Sequence, residues 1–135
     1  MNKMQIKRLL GIALLAAIIA VCIHPVFAAD YRPLIGKWQR TDGGYVIEIR
    51  RVAPDGTLEA NYFNPRPINV SAAEWQLKDG YLMVFVKLSD EGYPGSSYTL
   101  VYHPDSDRLA GVYFQAALQR KFEVVFERVK PKSGS

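Results

Sequence analysis

Residues 34–49 read LIGKWQRTDGGYVIEI. Two short β-prone runs are separated there by Thr41-Asp42-Gly43-Gly44, a cluster of turn residues. In the second run Ile47 and Ile49 fall on one face, while Glu48 and Arg50 fall on the other. A period of two is the signature of a half-buried strand, and a helix would need a period of 3.6. The stretch therefore predicts a strand, a tight turn and a second strand.

The same pattern continues to the C-terminus. Eight runs rich in Val, Ile, Tyr, Phe and Thr cover about 34–40, 44–52, 57–64, 70–78, 81–89, 97–103, 108–116 and 120–129. The breaks between them are TDGG, APDG, NPRPIN, DG, DEGYPGS, PDSD and AALQ. Each break is short enough for a hairpin, and none has room for the crossover helix that parallel pairing requires. The expected fold is all-β: an eight-stranded antiparallel up-and-down barrel, which closes the sheet and removes its edges.

Hairpin registers can be written down from the turns. A four-residue APDG loop sets Val52 against Thr57 and Arg50 against Glu59 outside, with Ile49 against Ala60 and Ile47 against Tyr62 inside. A two-residue Asp79-Gly80 turn pairs Leu77 with Leu82, Trp75 with Val84 and Ala73 with Val86. Tyr81, Met83 and Phe85 then form an apolar stripe on the outer face, the kind of surface expected at a homodimer interface. On the last strand Phe122, Val124, Phe126 and Arg128 point in, and Lys121, Glu123 and Glu127 point out.

Residues 1–29 read as a cleaved export signal, with Lys3, Lys7 and Arg8 before the uncharged run LLGIALLAAIIAV and a small-x-small ending at Ala28. The run is shorter than the ~20 residues a membrane span needs, so membrane contact is expected only during export. Val21 before Cys22 does not fit a lipoprotein box, and a periplasmic or secreted destination follows. Residues 30–135 form one domain, with a disordered tail expected over about 131–135. Three of the seventeen Lys and Arg lie in the signal, leaving fourteen against thirteen acids. A mature net charge of +1 with no basic stripe excludes nucleic-acid binding as an expectation. Beyond the signal there is no Cys, so the core must hold without disulfides.

Chemistry-bearing patterns are sparse. His103 is the only His after the signal, and with no Cys beside it neither a metal site nor a cofactor is expected. A nucleophile elbow and a phosphate-cradling loop before a helix are both missing, and Glu123 and Glu127 share a solvated face. The expectation is a binding protein, not an enzyme. The loops APDG, KDG and HPDSD are tight and belong to one end of the barrel. TDGG, NPRPIN, SDEGYPGSS and AALQRK belong to the other, which is longer-looped and is the expected mouth. Tyr45, Tyr62, Trp75, Phe114 and Phe122 are the candidate cavity lining there, with Arg66, Tyr93 and Arg120 on its loops. Eight strands leave an interior either filled by side chains or wide enough for one small ligand.

Gly36-Lys37-Trp38 on the first strand, the eight-strand meander and the inward Arg128 on the last strand resemble the calycin superfamily of lipocalin-like and avidin-like barrels. Leu109-Ala110-Gly111-Val112-Tyr113 is similar to those barrels as well. The resemblance spans almost all of the mature chain. It implies that Gly36, Trp38 and Arg128 build the closed base, with the Arg packed across the indole. It also implies a carrier of a small apolar or aromatic molecule. The chain departs from lipocalins in its shortness and its lack of a C-terminal helix. With only Trp38 and Trp75 it also lacks the aromatic box of biotin binders. The alternative is a module that binds an envelope protein, such as a protease inhibitor, through the mouth loops or the N-terminal stretch Asp30 to Pro33.

Overall fold

The computed structural model describes residues 30–134. The export signal expected over residues 1–29 lies outside the described residues. A 3-10 turn, Arg32–Leu34, precedes β1 (Gly36–Arg40), β2 (Val46–Val52), β3 (Leu58–Phe63), β4 (Pro67–Ile68) and β5 (Val70–Lys78). Then come β6 (Tyr81–Asp90), β7 (Tyr93–His103), β8 (Arg108–Gln115), a second 3-10 turn at Ala116–Leu118, and β9 (Arg120–Arg128). All neighbours pair antiparallel in the order β4-β3-β2-β1-β9-β8-β7-β6-β5. The sheet closes where the residues leading into β3 meet β5, through a Thr57–Glu74 bridge and the Trp75 N–H donating to Gly56 O at 2.8 Å. The result is a nearly closed up-and-down barrel.

Three details differ from the sequence reading. The long loop expected over DEGYPGS is a two-residue Glu91-Gly92 turn, with Asp90 paired to Tyr93, so β7 begins at Tyr93 and not near residue 97. A ninth strand, the two-residue β4, sits inside NPRPIN and pairs with Tyr62 and Phe63 of β3. The β2–β3 register is also offset near its turn, where Val52 faces Leu58 and Arg51, not Arg50, faces Glu59. The cause is the loop length. Ala53 N–H donates to Thr57 O at 3.0 Å, so the loop is the three residues Pro54-Asp55-Gly56, closed by Gly56 at φ +96°. The extra residue is absorbed as a bulge between Ile49 and Arg51, which restores the expected Ile49–Ala60 and Ile47–Tyr62 pairs. The Asp79-Gly80 hairpin has the expected register, and both turn residues have positive φ, 51° and 81°.

The interior is packed. Trp38, Tyr62, Tyr98 and Phe126 are fully buried, as are Val84, Val86, Leu100 and Leu109 from β6 to β8. Each large apolar side chain so enclosed contributes roughly 1.5–3 kcal/mol relative to exposure. Rings fill the middle of the barrel: Tyr98 lies 4.6 Å from Tyr113 and 5.3 Å from Phe126 between ring centres.

One end is sealed by the chain itself. Trp38 Nε1 donates to Leu34 O at 2.9 Å, and Leu34 is fully buried. The Arg128 guanidinium lies 4.2 Å from the centre of the Trp38 ring. Its Nε and Nη2 donate to Asp107 at 2.7 and 2.9 Å, its Nη1 donates to Ile35 O at 2.7 Å, and Nη2 also reaches Pro33 O. A Cβ on Gly36 would stand 2.7 Å from Arg128 Nη1, and Gly36 has φ +144°. Glycine two residues before the Trp is therefore a steric requirement of the Arg. The stretch from Tyr31 to Leu34 is held against this base, with Tyr31 also packed 5.0 Å from Trp75.

Candidate functional site at the barrel mouth

β1 runs from the sealed base toward the opposite end. Because its side chains alternate, Arg40 points inward two residues after Trp38. Only 9% of the Arg40 side chain is exposed. Burial of a guanidinium is costly unless its donors are satisfied, and three hydrogen bonds to two residues engage this one. Nε and Nη2 donate to the two oxygens of Asp42 at 2.8 and 2.5 Å, and Nη1 donates to the Tyr98 hydroxyl at 3.1 Å. The Tyr98 and Tyr62 hydroxyls share a further hydrogen bond of 3.0 Å. The network thus runs from the hairpin tip at Asp42 to the centre of the barrel.

Aromatic rings surround the guanidinium. Its carbon lies 4.3 Å from the centre of the Tyr45 ring and 5.7 Å from that of Tyr113. Gly43 helps Tyr45 reach this position, since a Cβ there would stand 2.8 Å from the Tyr45 ring. Phe122 stacks beside Tyr113 at 6.4 Å, and Tyr93 meets Tyr62 edge-on at 6.0 Å while its hydroxyl accepts from Asn64 Nδ2. Between these groups lies a cleft of about 580 Å³, lined by Arg40, Asp42, Tyr45, Gly92, Tyr93, Tyr113, Gln115 and Phe122. That is within the range of small-molecule sites.

The electrostatics favour fixed charges over proton traffic. Burial pushes the Tyr98 phenol up to about 12, against the hydrogen bonds from Tyr62 and Arg40. Burial likewise raises Tyr62 and Tyr113. For Arg40 burial opposes the charge, but the hydrogen bonds to Asp42 and Tyr98 outweigh it and raise its pKa. Asp42 is held below the usual carboxylate range by its hydrogen bonds from Arg40. All these shifts move away from neutrality, whereas acid–base catalysis at pH 7 wants groups tuned toward it.

The residues proposed from sequence are distributed unevenly. Tyr45, Tyr93 and Phe122 line the cleft, and Arg120 stands at its rim, 6.0 Å from the Phe122 ring centre. Tyr62 is buried and is not among the residues that line the cleft. Arg66 is exposed on the loop before β4, away from the cleft lining. Trp75 lies at the opposite end, because β5 runs back toward the base before it, and its Nε1 donates to Ala53 O at 2.7 Å. Phe114 follows the inward Tyr113 on β8 and so points to the outer face, opposite Ser97 and Lys121. Arg40, Asp42, Tyr98 and Tyr113 were not among the sequence candidates; alternation from Trp38 was the signal for Arg40. Tyr81, Met83 and Phe85 project from the outer face of β6, with Val101 opposite Met83 and Ala110 beyond it.

A base-end hollow of about 410 Å³ and outer-face grooves of about 260 and 490 Å³ also occur. None is lined by a buried charged side chain. Comparison with known proteins gives no matching family model, no matching curated protein and no matching solved structure.

Proposed function

We propose that this is an exported, non-catalytic binding protein of calycin type that holds a small aromatic molecule in the mouth cleft. One observation carries the proposal: a buried, ring-flanked guanidinium at the floor of a cleft of about 580 Å³. Cationic and aromatic groups converging on one concavity are a recognition device. The packed interior beneath it confines any ligand to the mouth. The N-terminal stretch that a protease inhibitor would insert into its target is spent here on the barrel's own base, where Arg128 binds the carbonyls of Pro33 and Ile35. That favours small-molecule binding over inhibition. Native mass spectrometry of protein purified gently from the envelope of its own host tests the proposal. A small-molecule adduct that is lost in Arg40→Met supports it. Bare protein mass, with co-purification of a second polypeptide, contradicts it.

A further inference from the structure

We infer that the ligand of the mouth cleft is an aromatic carboxylate, and that Asp42 is an internal stand-in which the ligand's carboxylate displaces from Arg40. The inference rests on the small-ligand proposal above and names its chemical class.

The Arg40–Asp42 pair is asymmetric in a way that suits exchange. Arg40 is 9% exposed, whereas the Asp42 side chain is 58% exposed. Arg40 is held from the far side by Tyr98 and flanked by the Tyr45 and Tyr113 rings, so it cannot follow Asp42 outward. Asp42 sits at the tip of the β1–β2 hairpin, next to Gly43 and Gly44, whose backbone torsions are the least restricted. Turning out exchanges one half-hydrated state of its carboxylate for a fully hydrated one. Arg40 would then be left as a buried cation without a counter-ion, a state that strongly favours capture of another anion.

The geometry selects a carboxylate. Asp42 occupies the guanidinium in bidentate fashion, through Nε and Nη2, which is the planar fork geometry that a carboxylate matches. The Tyr45 and Tyr113 rings stand next to that fork, with Phe122 stacked beyond Tyr113, and would flank a ring attached to it. Tyr93 and Gln115 supply polar groups at the open side. With Asp42 bound, Arg40 and Asp42 offset each other among the lining residues and Arg120 stands at the rim; with Asp42 turned out, the Arg40 charge is free for a negative ligand.

Isothermal titration calorimetry with naphthalene-2-carboxylate and its neutral amide tests the inference on the wild-type chain and on two variants. The acid is expected to bind at least about ten-fold more tightly than the amide, as loss of a charge-assisted bidentate pair implies. Asp42→Asn should tighten the acid further, since the stand-in is removed and Arg40 remains. Arg40→Lys keeps a positive charge but not the fork, and should abolish most of the preference for the acid. Equal binding of acid and amide would overturn the carboxylate assignment while leaving the cleft as a site for neutral aromatics. Weaker acid binding by Asp42→Asn would overturn the stand-in role. No binding of either probe to the wild type or to Asp42→Asn would overturn both this inference and the small-ligand proposal.

Discussion

Arg40 and Arg128 enter the barrel from opposite ends, and different partners make each tolerable. Arg128 lies over the Trp38 indole and is fixed by Asp107 and two backbone carbonyls, so it works as a seal. Gly36 exists to admit it, and Gly36→Ala should cost about 1–3 kcal/mol through the clash and the φ of +144°. Urea unfolding of the variant measures this directly. Asp107 gives the seal a pH dependence. Its hydrogen bonds from Arg128 hold its carboxyl below the ordinary range in the folded state. A depressed folded pKa stabilises above the unfolded value and is lost as pH falls through the folded one. The urea midpoint should therefore decline below about pH 4, and less steeply in Asp107→Asn. At the alkaline end Tyr98, raised to about 12, stabilises the fold below the unfolded value near 10 and ceases to do so as pH climbs past 12. Absorbance at about 295 nm should show Tyr98 ionising only together with unfolding. Alternation on the last strand made Arg128 legible as an inward residue. The same rule applied to the first strand gives Arg40. Of the groups that compensate Arg40, Asp42 lies two residues on, whereas the Tyr98 hydroxyl, 58 residues away, is a product of closure and has no local signal.

At the scale of elements, turn chemistry decided what could be read. Asp79-Gly80 permits one hairpin, and β5 and β6 pair as that turn dictates. Ala53-Pro54-Asp55-Gly56 permits either a four-residue loop or a three-residue loop closed by a left-handed Gly, and the second is adopted. The resulting slip touches Arg50, Arg51 and Val52 and is then cancelled by the bulge, so the inward faces of both strands remain legible. Gly111 on β8 is less forgiving. A Cβ there would fall 2.0 Å from Thr99 O on the neighbouring strand, with backbone on the clashing side. Gly111→Val is expected to give little or no folded protein, read as loss of the β-sheet circular dichroism signal. Gly80→Ala should cost only about 1 kcal/mol, since nothing lies within 4 Å of its Cβ position and φ alone is strained.

For the molecule as a whole, sorting loops by length described the two ends only in part, since the mouth-side connection Glu91-Gly92 is as tight as Asp79-Gly80 at the base. Whether the interior is filled was not legible. It depends on how Trp38, Tyr62, Tyr98, Tyr113 and Phe126 interlock in three dimensions, and alternation fixes only their direction. The packed interior moves the site to the mouth and leaves Tyr62 as support, not contact. The central claim is therefore positional: ligand sits on Arg40 above a filled barrel. Backbone amide chemical shifts of ¹⁵N-labelled protein, followed while naphthalene-2-carboxylate is added, test it most directly. The account predicts shifts concentrated at residues 40–45, 92–93, 113–115 and 120–122. Shifts centred on Val84, Val86 and Leu100 inside the barrel, or on Met83, Phe85 and Val101 outside it, would contradict it.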